Sequence, residues 1–259
     1  MNGGSGTTGG RNRIKSVETA FEIVESLQEL DGSGVSELAA YLDIPKSTAH
    51  VYLNTLEEIG YVIKEDGEYR LGLRFLERGG YIRQRVSIYG AARPRIDELS
   101  QETGEVANFG IEEGGKRVLL YTSESPSGVF DNSPAGQYTH MHWTALGKSL
   151  LAYFPEERIH EIVDEHGLPG ATSNTITERD ELLEELATIR EQGFAVEDEE
   201  RREGIKAIGV PVLDGDEAPI GAVSISGPKS RIDEAATDAE LVDTIKKKVN
   251  VIELKYQHY

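Results

Sequence analysis

The sequence predicts an α+β protein of two folded units, on three observations. The first 76 residues place three short amphipathic segments before one strand-turn-strand pattern. From residue 91 onward, alternating strands joined by glycine turns are mixed with longer helical runs, as in an antiparallel sheet with helices beside it. Finally, 259 residues with 38% hydrophobic content suffice for two packed cores.

Residues 1–12 are expected to form a disordered leader, because up to Gly10 they are Gly, Ser, Thr and Asn apart from Met1. From Ile14, Val17, Phe21, Val24, Leu27 and Leu30 recur at three- and four-residue spacing, the mark of an amphipathic helix, which Asp31-Gly32-Ser33-Gly34 stops. Ser36 is placed to cap a second helix with Leu38, Ala39 and Leu42 inward. Pro45 suits the first position of a third helix, whose inward face is Ala49, Tyr52, Leu53 and Leu56 and whose stop is Gly60. Two alternating segments, 61–65 and 68–72, flank Asp66-Gly67, a dipeptide that favours the left-handed backbone of a tight hairpin. Helix, helix-turn-helix and hairpin in this order form a winged helix-turn-helix over 13–76, an arrangement that binds DNA.

Residues 73–103 read as helical, interrupted by Gly79-Gly80, Gly90 and Pro94; 77–90 is assigned as a linker helix and 91–259 as the second unit. There, VANFGIEE and KRVLLYTSE are strands joined by Gly114-Gly115, and the pattern turns helical at Thr144. Thr177 is placed to cap the amphipathic run that ends at Gly193. AIGVPVL and PIGAVSISG form a second hairpin, and a helix over 233–256 with Leu241, Ile245, Val249 and Ile252 closes the chain. Strands and helices mixed about an antiparallel sheet are expected to form an α+β domain.

The formal charge of -19 is unevenly spread: residues 11–90 hold ten Lys/Arg against thirteen Asp/Glu, and the acid excess lies in the remainder. An acidic, solvated surface of this kind suits a high-salt cytoplasm and a halophilic source. With no cysteine there is no disulfide framework, thiolate metal site or cysteine nucleophile. No apolar run reaches eighteen residues and no signal-peptide pattern opens the chain, so a soluble, cytoplasmic protein without a membrane partner is expected.

Several segments, in order, resemble the isocitrate lyase regulator (IclR) family of transcription factors: VSELAAYLDIPKSTAH, LNTLEEIGYV and GEYRLG, then TALGKSLLA at 144–152, TSNTIT at 172–177, REQGFAVEDEE at 190–200 and AVSISGP at 222–228. The resemblance covers roughly residues 14–256 and implies a winged helix, a linker helix and a GAF-like effector domain. It also implies homodimers or homotetramers on double-stranded operator DNA, responsive to a small molecule.

In the winged helix, the third helix is expected in the major groove, which makes Lys46, Ser47, Thr48, His50, Val51 and Asn54 the candidate DNA contacts. The family often has Arg where Val51 stands, which removes one contact here. Lys64 and Arg70 flank the wing tip, among acids that oppose them, and Arg11, Arg13 and Lys15 form a candidate basic arm for the minor groove.

Carried over by position, the family's pocket nominates Ala145, Leu146, Glu197, Asp198, Ile205, Ala207, Ser224 and Ser226 as effector-binding residues. A helix N-terminus at Thr144–Gly147 and two serine hydroxyls suit a small organic or sugar acid. Family members commonly carry Cys in place of Ala207 and Asp in place of Glu197. No cofactor is expected. Gly147-Lys148-Ser149 imitates the end of a phosphate loop but lacks its first glycine, and His140-x-His142 is a metal candidate more simply read as structural. No nucleophile-base motif appears, so an enzyme is not expected. The alternative reading is a small-molecule-binding enzyme or storage protein that uses its N-terminal unit only for assembly.

Overall fold

The protein is described from a computed structural model covering residues 13–126, 128, 133–234 and 238–257. The leader 1–12, with Arg11, lies outside the described residues. The chain divides into two compact units, Met1–Tyr81 and Ile82–Tyr259.

The first unit holds α1 (Lys15–Glu29), α2 (Val35–Tyr41), α3 (Lys46–Glu58) and the hairpin β1 (Val62–Glu65) and β2 (Glu68–Leu71). Its core is Ile23, Leu27, Leu38, Leu53, Leu56, Val62 and Tyr69, one apolar stripe from each helix closed by one face of the hairpin. Asp66 and Gly67 both take positive φ, 50° and 92°, which matches the right-handed strand twist that a tight hairpin needs. Ser33 bridges Tyr69 and so adds a short third edge to the wing. Two caps differ from the sequence reading. The cap of α2 is Gly34 and not Ser36, while Ser33 Oγ donates to Glu37 from one residue further out. Pro45 occupies the cap of α3 and not its first turn.

The boundary between units falls inside α4 (Arg74–Arg85). Residues 77–90 are not one helix: α4 ends at Arg85 and α5 (Tyr89–Thr103) starts after a turn in which buried Ile88 and part-buried Val86 anchor the chain to the sheet core. Gly79-Gly80 and Pro94 lie inside these helices.

In the second unit follow β3 (Val106–Glu113), β4 (Lys116–Ser123), β5 (Tyr138–His140), a 3-10 turn (Met141–Trp143), α6 (Ala145–Leu151), α7 (Glu156–His166), α8 (Arg179–Gln192), β6 (Ala195–Asp198), β7 (Ile205–Leu213), β8 (Pro219–Pro228), α9 (Lys229–Glu234) and α10 (Asp238–Gln257). The strands form one antiparallel sheet in the order β5-β4-β3-β8-β7-β6. Side chains alternate between its faces. Phe109, Ile208, Val210, Val223 and Ile225 pack under α5 and α10, while Leu119, Ala207 and Ala222 meet α6, α7 and α8. Thr177 does not cap α8, whose cap is Glu178 without a side-chain bond. Thr144 does cap α6, its hydroxyl accepting from Gly147 N at 3.0 Å. The neighbouring Trp143, the single tryptophan of the chain, donates its indole N–H to Pro169 O at 2.7 Å.

Two glycines let α6 lie against the sheet. A Cβ on Gly209 would stand 2.5 Å from Ala145 O, and one on Gly147 would run into the backbone of Met141. No helix among the described residues is long and apolar enough to cross a membrane.

Candidate functional site

In the first unit α3 buries Ala49, Leu53 and Leu56 and turns Lys46, Ser47, His50, Val51 and Asn54 outward, with Thr48 half-buried. Val51 is 63% exposed, an apolar group that the unit's core does not use. Asn54 is less free than its exposure suggests. Its Oδ1 accepts from the buried Tyr69 hydroxyl at 3.2 Å and its amide lies 3.3 Å from His50 Nδ1, so it ties the helix to the wing. On the wing, Lys64 lies over the Tyr69 ring at 4.8 Å, and Arg70 pairs with Glu68 at 3.1 Å in an exposed position. Arg13 reaches Glu18 at 3.6 Å, also exposed.

In the second unit Ala145, Leu146, Glu197, Ile205, Ala207, Ser224 and Ser226 line one cleft, joined by Asn108, Arg117, Leu119, Ser133, Thr144, Arg201 and Arg202. Strand alternation explains the convergence. Ala207 faces Ser226 and Glu197 across their ladders, Asn108 faces Ser224, and all point to the α6 side. Asp198, one residue out of phase, does not join them: its carboxylate pairs with Lys229 at 2.7 Å. The cleft is compact, about 40 Å³.

The wall is polar and partly cationic. Arg117 is 2% exposed on β4, and Arg201 Nη2 donates to Ser133 Oγ at 2.9 Å. Asn108 is held by Thr122 and donates to Ser226 Oγ at 3.0 Å. Glu197 accepts from the Arg201 backbone N–H at 3.4 Å, and burial, reinforced by the nearby charge of Glu200, pushes its carboxyl up to about 7. Behind the wall Lys148, 1% exposed, donates to Glu200 at 2.7 Å and Glu185 at 3.0 Å. That pairing leaves no phosphate-loop lysine. One of the α6 amides offered to a carboxylate is also taken, since Gly147 N bonds Thr144.

Sequence reading missed Asn108, Arg117 and Arg201, which belong to no motif. The available signal was parity: Arg117 and Asn108 stand where strand alternation points inward, an unusual place for a charge or an amide. His142 Nε2 lies 3.1 Å from Pro169 O, and His140 lies beside Lys116, its imidazole held down at about 4 by burial and by that cation. Among the described residues no group of three His or carboxylate side chains converges as a metal site would require.

Residues 16–66 match the model of the IclR helix-turn-helix domain, and residues 81–253 match that of the bacterial transcriptional regulator IclR C-terminal domain. The chain is 35% identical over 249 residues, 95% of each chain, to "Probable HTH-type transcriptional regulator ArcR" of Halobacterium salinarum. It resembles the crystal structure of Thermotoga maritima IclR at 31% identity and a TM-score of 0.76, covering 95% of this chain and 100% of that one. An IclR homolog from Microbacterium hydrocarbonoxydans, solved in complex with 4-hydroxybenzoate, shares the fold at 20% identity and a TM-score of 0.77, covering 93% of this chain and 100% of that one.

Proposed function

The chain belongs to the IclR family of transcriptional regulators, and from that premise we propose that a small organic or sugar acid, held in the cleft, controls how α3 binds its operator. The family combines a DNA-binding helix-turn-helix with a C-terminal ligand-binding domain and consists of regulators, not enzymes.

The observation that carries the acid reading is a cleft whose lining brings together Arg117, Arg201, Ser224 and Ser226 in a chain of net charge -19. Guanidinium forks and hydroxyls are the donors that a carboxylate takes up well. The 4-hydroxybenzoate bound by the Microbacterium homolog is an acid of this kind. Lys46, Ser47, Thr48, His50 and Val51 face the major groove in this reading, Asn54 orients the helix, and Lys64, Arg70 and Arg13 meet the phosphate backbone. Regulation requires that the ligand bind two arrangements of the protein with different affinity.

Homodimers or homotetramers acting on DNA in the cytoplasm complete the proposal. Exposed Val17 and Phe21 on α1 and Leu76 and Ile82 on α4 supply apolar surface for self-association. Light scattering at micromolar protein is expected to give a dimer or larger; a monomer would remove that part.

Calorimetry with keto, sugar and aromatic acids tests the cleft, with binding heat expected to vanish in the Ser224→Ala, Ser226→Ala double variant. Mobility shift of the DNA upstream of the protein's own gene tests α3, with retardation expected for the wild type and lost on Ser47→Ala plus Thr48→Ala. Unchanged ligand heat would move the site elsewhere, and unchanged retardation would remove the role of α3.

A further inference from the structure

We propose that an acid effector enters the cleft together with one proton, which Glu197 takes from solvent and then donates as a hydrogen bond to the ligand. The inference rests on the acid-binding reading above and adds a role for Glu197, the one carboxyl in the wall among the described residues.

Charges face Glu197 from several elements. From β4 comes Arg117, from the segment after β6 come Glu200, Arg201 and the exposed Arg202, from α6 comes Lys148, and from α8 comes Glu185 through its bond to Lys148. Arg202 stands where water screens it.

With Glu197 ionised, a ligand carboxylate in the same cleft would bring a second negative charge against a carboxylate that is only 5% exposed, which a protein interior tolerates poorly. Neutral Glu197 removes that repulsion and gains an O–H donor that it can offer to the ligand. Its position suits the change, because the carboxyl is 5% exposed and its recorded bond is one acceptor contact of 3.4 Å from the Arg201 N–H. Its carboxyl, already raised to about 7, is close to accepting a proton before any ligand arrives.

Titration calorimetry of the full chain with pyruvate, gluconate and 4-hydroxybenzoate, in phosphate and in Tris at equal ionic strength, tests this. For an acid that binds, wild type is expected to take up close to one proton per ligand at pH 8, and to lose affinity on the order of tenfold between pH 7 and 8.5. Glu197→Gln, which imitates the neutral carboxyl, is expected to take up none and to bind equally at both pH values, at least as tightly as wild type at pH 7. Ser224→Ala is expected to weaken binding while leaving the proton count intact.

Binding by wild type without proton uptake, or loss of binding in Glu197→Gln at both pH values, would overturn the proton role and leave the acid pocket standing. No binding of any of the three acids to wild type or to Glu197→Gln would overturn both.

Discussion

Lys148 is enclosed in α6 with two carboxylates for company, and its worth to the protein follows from what its removal would strand. Glu200 would remain buried without the cation it pairs with, so Lys148→Met is expected to lower stability by about 3–5 kcal/mol in denaturant titration. A loss below about 1 kcal/mol would mean that Glu200 simply protonates or rotates to water. Glu197 makes the opposite case. It ionises near 4.5 when unfolded and near 7 when folded, so the folded state holds its proton more tightly. Stability from this group is complete below pH 4.5 and is lost as pH rises to about 7. Glu197→Gln should therefore match wild type at pH 4 and exceed it above pH 7 by about 3 kcal/mol, as read from denaturation midpoints at both pH values. At this scale the sequence was legible where a motif named the position, as for Ser224, Ser226 and Glu197. It was silent where a charge was buried without one, as for Arg117, and for Lys148 the motif did not show the carboxylates that enclose it. Asp198 shows why a motif misleads by one residue: adjacent positions of a strand face opposite sides.

At the scale of elements, glycine spacing and apolar period carried most of the fold. The Asp66-Gly67 and Gly114-Gly115 turns stand where the sequence puts them, since only a positive φ closes those hairpins. Helix caps were less legible, because Ser33, Ser36 and Thr177 are all competent caps and tertiary contacts choose among them. The sequence reading passed over α7, although Ile159, Ile162 and Val163 carry a helical spacing. Gly209 was read only as part of a strand, yet it lets α6 touch β7. Gly209→Ala is expected to lower stability by about 1–3 kcal/mol and to weaken ligand binding, since Ala145 and Leu146 would be pushed into the cleft. Calorimetry on the folded variant separates the two effects; unchanged affinity would mean that the displaced helix leaves the cleft intact.

For the molecule as a whole, the charge of -19 sits on a chain that must approach a polyanion. In a salt-adapted reading of that charge, which we propose, screening of self-repulsion stabilises the fold. The melting temperature is expected to rise by several degrees from 0.1 to 2 M KCl, and full stability in dilute buffer would remove the proposal. Operator binding should also fall less steeply with salt than for a basic DNA-binding domain, because few phosphate contacts release few counterions. Trp143 gives these experiments an internal gauge. As the one tryptophan of the chain, next to the cap of α6 and bonded to Pro169, it is the sole source of indole emission. Changes in its spectrum on ligand addition report the start of the cleft-lining helix without any label, in the unmodified protein, at any salt concentration.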